Sequence, residues 1–342
     1  MTPGADFYDL LRPLLFRLDP ETAHRWTLRG LRVLGATRPG RMILRSLAGA
    51  PAPGTVLDCL GLRFANRLGL AAGYDKDALA LRGLASLGFG HIEVGTVVPS
   101  PQPGNARPRL FRLEEDRALV NRLGFPSTGA AVVARRLKGG HPPGVVLGIN
   151  VGKAAVTPLD RAVEDYVTLV DTFRSLADYL TINVSSPNTL GLRRLQGRDH
   201  LERLLTGVRR RLEDSPGPRP PLLVKLAPDL DLQELEDALA ACTGRVEGII
   251  AVNTTTARPG LQSPHAGEAG GLSGRPLFSI ALDQVKRIVS LGGGRLVVVG
   301  CGGIAGPDDV RAMVDAGATL VQVYTALIYQ GPRLPRRLLA AS

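Results

Sequence analysis

The stretch Tyr179–Asn188, YLTINVSSPN, joins a short, nearly continuous apolar run to an abrupt cluster of polar side chains. A run of this kind reads as a strand buried on both faces of a parallel sheet. Working outward, the same apolar pattern recurs at Leu68–Ala72, His91–Val97, Val145–Val151, Leu222–Leu226, Gly248–Asn253, Leu296–Val299 and Leu320–Tyr324. Helical spacing fills the intervals at Asp77–Leu87, Thr128–Leu137, Leu159–Ala177, His200–Leu212, Leu232–Ala241, Leu277–Leu291 and Asp308–Ala316, and a last helix is expected over Pro332–Leu339. Eight strands, each followed by a helix, predict an α/β fold of the (β/α)8 TIM barrel class. A doubly wound sheet fits the periodicity almost as well; the strand count and the motif positions favour the barrel.

Chemistry in such a barrel gathers at the C-terminal ends of the strands. Those ends carry Ala71-Ala72-Gly73-Tyr74-Asp75-Lys76, Gly95-Thr96, Asn150, Asn183 to Asn188, Lys225, Asn253-Thr254, Gly300-Cys301-Gly302-Gly303 and Tyr324-Thr325. A lone polar residue at a strand end often only satisfies loop backbone. Amides and lysines at nearly every strand end are harder to assign to packing, because buried polar groups cost free energy unless paired. A polar ligand in the barrel mouth would pair them. Asn121, Asn183, Asn188 and Asn253 suit a flat heterocycle with N–H and C=O groups, such as a pyrimidine. Lys76 and Lys225 supply positive charge for a carboxylate or an anionic reduced cofactor. Glycines after the seventh strand, with Tyr324-Thr325 after the eighth, match the usual phosphate site of barrels, although such a cluster could also be only a tight turn. A single phosphate there fits FMN better than a dinucleotide, for which an early GxGxxG is expected.

The chain has 342 residues and a formal net charge of +11. Basic clusters such as Arg209-Arg210-Arg211 lack interleaved aromatics, so a solvated basic face is favoured over nucleic-acid binding. Three widely spaced cysteines give neither a disulfide framework nor a metal pattern. With no HExxH, CxxC or carboxylate cluster, no metal site is expected. No apolar run approaches the ~20 residues needed to span a bilayer, and charges at Asp6, Asp9, Arg12 and Arg17 interrupt any signal-peptide core.

Residues 1–50 differ in character from the rest. Phe7, Leu10, Leu11, Leu14, Leu15 and Leu18 fall near one helical face, which Pro13 is expected to break or offset. Asp19-Pro20-Glu21 opens a second helix, with Asp19 as cap and Pro20 in its first turn. The segment Pro39 to Pro53 reads as a linker. Periodicity alone fits a helical cap packed on the barrel; the alternative is an amphipathic device with Arg12, Arg17, Arg25, Arg29 and Arg32 facing anionic lipid.

Several segments resemble the class 2, quinone-dependent and membrane-associated dihydroorotate dehydrogenases, in order and over essentially the whole chain. They are Leu68 to Lys76 (LGLAAGYDK), Pro101 to Leu113 (PQPGNARPRLFRL), the Asn121 to Phe125 loop, Ile182 to Asn188 (INVSSPN), Val224 to Asp229 (VKLAPD), Gly270 to Pro276 (GGLSGRP) and Val321 to Leu327 (VQVYTAL). Phe16 to Arg25 (FRLDPETAHR) resembles the helical extension that separates class 2 from class 1. The sequence departs from the family at Arg67, Tyr74, Pro126-Ser127 and Cys301.

The resemblance implies oxidation of (S)-dihydroorotate to orotate with FMN as hydride acceptor and a membrane quinone as final acceptor, in de novo pyrimidine (UMP) biosynthesis. It implies Ser186, a cysteine in class 1, as the catalytic base. Lys76, Asn121, Arg122, Leu123, Gly124, Phe125, Asn183, Asn188, Asn253 and Thr254 match substrate-binding positions. Ala71, Ala72, Gly73, Tyr74, Asp75, Thr96, Asn150, Asn183, Lys225, Val252, Gly274, Gly303, Tyr324 and Thr325 match the FMN side, with Asp75 alternatively only a helix cap. His24, Arg112 and Tyr324 match the quinone side. The expected organisation is an N-terminal amphipathic extension over residues 1–50 and an FMN-binding barrel over 51–342, peripheral on the cytoplasmic side of the cell membrane and monomeric. The rivals are a soluble class 1 or related FMN pyrimidine reductase, and a non-catalytic barrel that binds a phosphate ligand.

Overall fold

The computed structural model describes residues 7–49 and 55–340. It opens on the helices α1 (Phe7–Arg17), α2 (Pro20–Ala36) and α3 (Arg38–Ala48). Asp19 accepts a hydrogen bond from the Thr22 N–H at 2.9 Å, capping α2 as expected. Two expectations fail here. Pro13 lies inside α1 without ending it, because Tyr8 and Arg12 tie that helix to the carbonyls of Ile328 and Tyr329. Most of the expected linker is α3: Thr37 caps it, and Pro39 falls in its first turn, where a missing N–H breaks no helical bond. The expected boundary between residues 50 and 51 lies outside the described residues.

A hairpin of β1 (Leu57–Cys59) and β2 (Leu62–Phe64) follows, its turn made by Leu60 and Gly61 at φ 57° and 70°. Then come β3 (Leu68–Leu70), α4 (Leu81–Ala85), β4 (His91–Val97), β5 (Leu110–Leu113), β6 (Ala118–Asn121), α5 (Ala130–Leu137) and β7 (Val146–Val151). The chain continues through α6 (Ala162–Phe173), β8 (Tyr179–Asn183), α7 (Arg198–Asp214), β9 (Leu222–Leu226), α8 (Leu232–Cys242), β10 (Gly248–Ala251) and β11 (Gly271–Gly274). It ends with α9 (Phe278–Gly292), β12 (Val297–Cys301), α10 (Pro307–Asp315), β13 (Leu320–Val323), α11 (Thr325–Gln330) and α12 (Leu334–Leu339).

Strands β3, β4, β7, β8, β9, β10, β12 and β13 pair in parallel and close into a barrel of eight, each corresponding to one apolar run. Phe64, delivered by the hairpin, packs with Val146, Tyr179, Leu223, Ile250, Val299 and Leu320, one apolar cluster at the start of the strands. Deeper inside, the Glu93 carboxylate accepts from Asn150 Nδ2 (2.8 Å), Tyr179 OH (3.0 Å), Thr181 Oγ1 (3.2 Å) and Gln322 Nε2 (3.0 Å). Four donors satisfy a carboxylate that burial would otherwise destabilise. A separate antiparallel sheet, β5-β6-β11, lies outside the barrel and contributes residues to its mouth. No described helix is long and apolar enough to cross a membrane.

Candidate active site

Two cavities meet above the barrel. The first occupies the mouth, lined by Ala71, Ala72, Gly73, Lys76, Thr96, Asn121, Leu123, Gly124, Phe125, Asn183, Ser186, Asn188, Lys225, Val252, Asn253, Thr254, Gly274, Gly303, Tyr324 and Thr325 among others. The fold thus gathers most of the residues singled out in the sequence, because each follows its strand onto the same rim.

The amides form two hydrogen-bonded groups. Asn188 Nδ2 donates to Asn121 Oδ1 at 3.0 Å, and Asn253 Nδ2 to Ser185 Oγ at 3.0 Å. Asn183 Nδ2 donates to Thr96 Oγ1 (2.9 Å) and Asn150 Oδ1 (3.0 Å), which carries the second group down to Glu93. Asparagine rotamers fixed in this way present set donors and acceptors to a ligand. Ser186 is buried, and its Oγ accepts from the Asn188 N–H at 3.3 Å, which leaves the hydroxyl proton free to point into the cavity.

The two lysines differ. Lys76 Nζ donates to the Gly73 carbonyl at 2.5 Å, and burial pulls its pKa down to about 8. Lys225 is buried and makes no hydrogen bond or ion pair among the described residues. A buried ammonium in that state calls for an electronegative ligand atom. Gln322 adds a second such group: its Oε1 is buried without a partner, while its Nε2 is held by Glu93 and Tyr179. At the opposite end, Gly274 and Gly303 have φ of 99° and 71°, and a Cβ at Gly303 would lie 2.4 Å from the Phe278 nitrogen. Only glycine allows that close backbone loop, which can surround a phosphate. Arg275, paired with Asp309, lies beside it.

Four expected contacts stand outside this cavity. Arg122 pairs with Glu268 at 2.7 Å and stacks on Phe111, pointing away from the mouth. Asn150 lies one layer below, holding Thr96 and Asn183. Asp75 accepts from the Leu79 and Ala80 N–H groups at 2.8 and 2.7 Å, so the capping alternative describes it. Tyr74 faces the second cavity. Conversely, Arg117, Ser273, Arg275 and Gln322 line the mouth without having been singled out. The signal for Arg117 was the apolar–acidic–apolar pattern of Leu110 to Val120, which folds as the β5–β6 hairpin.

The second cavity lies between α1–α3 and the barrel, lined by Leu11, Leu15, Phe16, His24, Leu31, Leu44, Tyr74, Arg112, Leu327 and Ile328 among others. Leu110, Leu119 and Tyr324 line both cavities and form their common wall. His24 is held neutral, its pKa lowered to about 4 by burial and then by the Lys76 charge. His24, Arg112 and Tyr324, expected together, do line one space. No group of metal-ligating side chains occurs among the described residues.

Residues 56–341 match the family described as Dihydroorotate dehydrogenase. A protein of Roseiflexus sp. (strain RS-1) named "Dihydroorotate dehydrogenase (quinone)" is 49% identical over 330 residues, covering 96% of this chain and 91% of its own length. One of the same name from Methylococcus capsulatus is 48% identical, with 96% of each chain covered. Among solved structures, the dihydroorotate dehydrogenase of Eimeria tenella in complex with ferulenol superposes with a TM-score of 0.83 at 37% identity, covering 94% of this chain and 89% of that one. On the matched segment and on the extent and identity of these relatives, the chain belongs to the dihydroorotate dehydrogenase family.

Proposed function

We propose that this protein oxidises (S)-dihydroorotate to orotate on bound FMN and passes the electrons to a membrane quinone, a step of de novo UMP synthesis. The observation that carries this reading is the pair of cavities with a common wall: one polar, with an unpaired ammonium and a set of fixed amides; the other apolar and bounded by the N-terminal helices. The residues present fit FMN. Lys225 and Gln322 offer unpartnered polar atoms to the ring, and the backbone at Gly274 and Gly303 leaves room for the phosphate.

Forming the C5=C6 double bond removes a proton from C5 and a hydride from C6. FMN, when bound, supplies the two-electron acceptor for that hydride. Ser186 takes the C5 proton through Oγ and passes it to water, since no carboxylate or imidazole hydrogen-bonds to that hydroxyl among the described residues. Lys76 holds the substrate carboxylate. Asn121, Asn183, Asn188 and Asn253 fix the ring against rotation, so C5 stays opposite Oγ. Lys225 balances negative charge that builds on the cofactor side. Phe125 and Leu123 cover the mouth and limit water.

The same reading puts the protein peripherally on the cytoplasmic side of the membrane, and the exposed apolar residues of the N-terminal helices support the attachment itself. Phe7, Leu10, Leu14, Leu18, Trp26, Val33, Met42 and Ile43 are exposed there, most of the large apolar side chains exposed among the described residues. Arg25, Arg29 and Arg32 stand among them on α2. The deciding experiment is a visible spectrum of the purified protein. A flavin absorption that bleaches on dihydroorotate and recovers on a quinone supports the reading; a colourless protein, or a flavin that dihydroorotate does not bleach, overturns it.

A further inference from the structure

Polar side chains are few in the second cavity, and nearly all are already engaged. The Tyr8 hydroxyl donates to the Ile328 carbonyl at 2.5 Å, and Thr27 Oγ1 to the Ala23 carbonyl at 3.0 Å. Arg112 donates to the carbonyls of Leu15 and Leu18, and Tyr324 makes a long bond to the Gly73 carbonyl at 3.5 Å. The His24 ring is engaged by the Tyr74 backbone. The remaining polar group is the Tyr74 hydroxyl. Tyr74 is 5% exposed and lines the cavity, yet its hydroxyl makes no hydrogen bond among the described residues. Its ring is held edge-on between His24 (centroids 5.0 Å apart) and Tyr324 (5.6 Å). That packing fixes where the hydroxyl points, and burial keeps its proton on, so it is a donor and not an anion.

A buried donor without an acceptor is costly in an apolar cavity, and a ligand acceptor offsets that cost. Leu11, Leu15, Leu31, Leu44 and Leu327 make the rest of the wall apolar, so the matching ligand is a flat, largely apolar ring bearing a carbonyl oxygen. We propose that the Tyr74 hydroxyl seats a carbonyl oxygen of the quinone against Tyr324, at the wall common to both cavities. The inference rests on the quinone reading above and adds to it the group that orients the quinone ring. An acceptor bonded there lies with its ring next to Tyr324, the residue that also borders the flavin cavity.

Tyr74→Phe removes the hydroxyl and keeps both ring contacts. Decylubiquinone is titrated into the oxidised protein without dihydroorotate, with binding read from quenching of Trp26, the sole tryptophan and a neighbour of His24 on α2. The variant is expected to bind about 3- to 10-fold more weakly, the worth of one net hydrogen bond, with the same factor in the quinone KM. Thermal melting of both proteins controls for folding. Equal affinity for decylubiquinone in the two proteins overturns the proposal. Slower flavin bleaching by dihydroorotate in the variant overturns it too, since the hydroxyl would then act in the first cavity. If the unaltered protein bleaches with dihydroorotate yet binds no quinone, the quinone reading itself fails, a result separate from equal binding by both.

Discussion

The roles of single residues divide by what each touches. Ser186 alone among the mouth residues combines a free hydroxyl proton with neighbours that fix its oxygen. Ser186→Ala is expected to retain FMN and lose on the order of 10²–10⁴-fold in the rate of flavin reduction, the usual worth of a general base; stopped-flow bleaching at unaltered speed would remove the serine from the reaction. Lys76 gives a pH signature. Its pKa is depressed to about 8, so the ammonium is present below that pH and lost above it. An anionic substrate needs the charge, so kcat/KM for dihydroorotate is expected to be level below pH 7 and to fall about tenfold per unit well above 8. A profile level to pH 9.5 would exclude Lys76 from carboxylate binding. His24, neutral down to about pH 4, adds no inflection near pH 6.5 to the quinone half of the reaction. Glu93 acts from below: Glu93→Ala strands the donors of Asn150, Tyr179, Thr181 and Gln322, and each stranded donor costs about 1–3 kcal/mol. A fall in stability of at least ~3 kcal/mol in urea unfolding is therefore expected, together with weaker FMN retention, because Gln322 and Asn150 lose their anchor.

At the scale of elements, every barrel strand was legible, because burial on both faces leaves a nearly continuous apolar run. The rim residues followed, since strand ends and rim coincide. What stayed hidden was made by tertiary contact. The sheet β5-β6-β11 joins segments some 150 positions apart, Asn121 opposite Gly271, and no local pattern announces such a partner. Helix α3 hid behind Pro39, which is harmless in a first turn. The direction in which Tyr74 and Arg122 point was likewise illegible, because neighbours in sequence can turn into different cavities. One link between elements is testable. Glu21 on α2 pairs with Arg107 and Arg109, and Arg109 in turn donates to the Pro103 and Asn105 carbonyls. Asn105 then bonds the Arg122 and Asn188 carbonyls, and Asn188 lines the mouth. Burial raises the Glu21 pKa, but its bonds to Arg109 and Arg107 outweigh that and hold it below the usual range. Glu21→Ala is thus expected to raise the KM for dihydroorotate several-fold though the residue lies far from Ser186 in sequence; an unchanged KM would show that the loop holds its shape without α2.

For the whole molecule, the question is what the N-terminal helices add to a barrel whose active-site side chains come almost entirely from residues after 70. They provide one wall of the second cavity through Tyr8, Leu15, His24 and Leu44, and they display outward the exposed apolar residues of α1–α3. On the proposed reading the outer surface would face the lipid while the inner one lines the cavity that Tyr324 closes, so an apolar quinone would pass from bilayer to flavin without crossing water. Removal of residues 1–50 should therefore separate the two half-reactions. The shortened protein is expected to keep yellow FMN and to bleach at saturating dihydroorotate, with a raised KM because Glu21 is gone. Its turnover with decylubiquinone should fall at least tenfold, the loss of roughly 1.4 kcal/mol or more of transition-state stabilisation. In parallel, the full chain should sediment with vesicles containing anionic lipid, and more weakly as salt rises, since Arg25, Arg29 and Arg32 contribute by charge while Trp26 and Val33 contribute by burial. Equal sedimentation of full and shortened proteins would move the membrane contact onto the barrel. Unimpaired quinone turnover by the shortened protein would mean that quinone reaches Tyr324 by another route, and the second cavity would lose its assigned purpose.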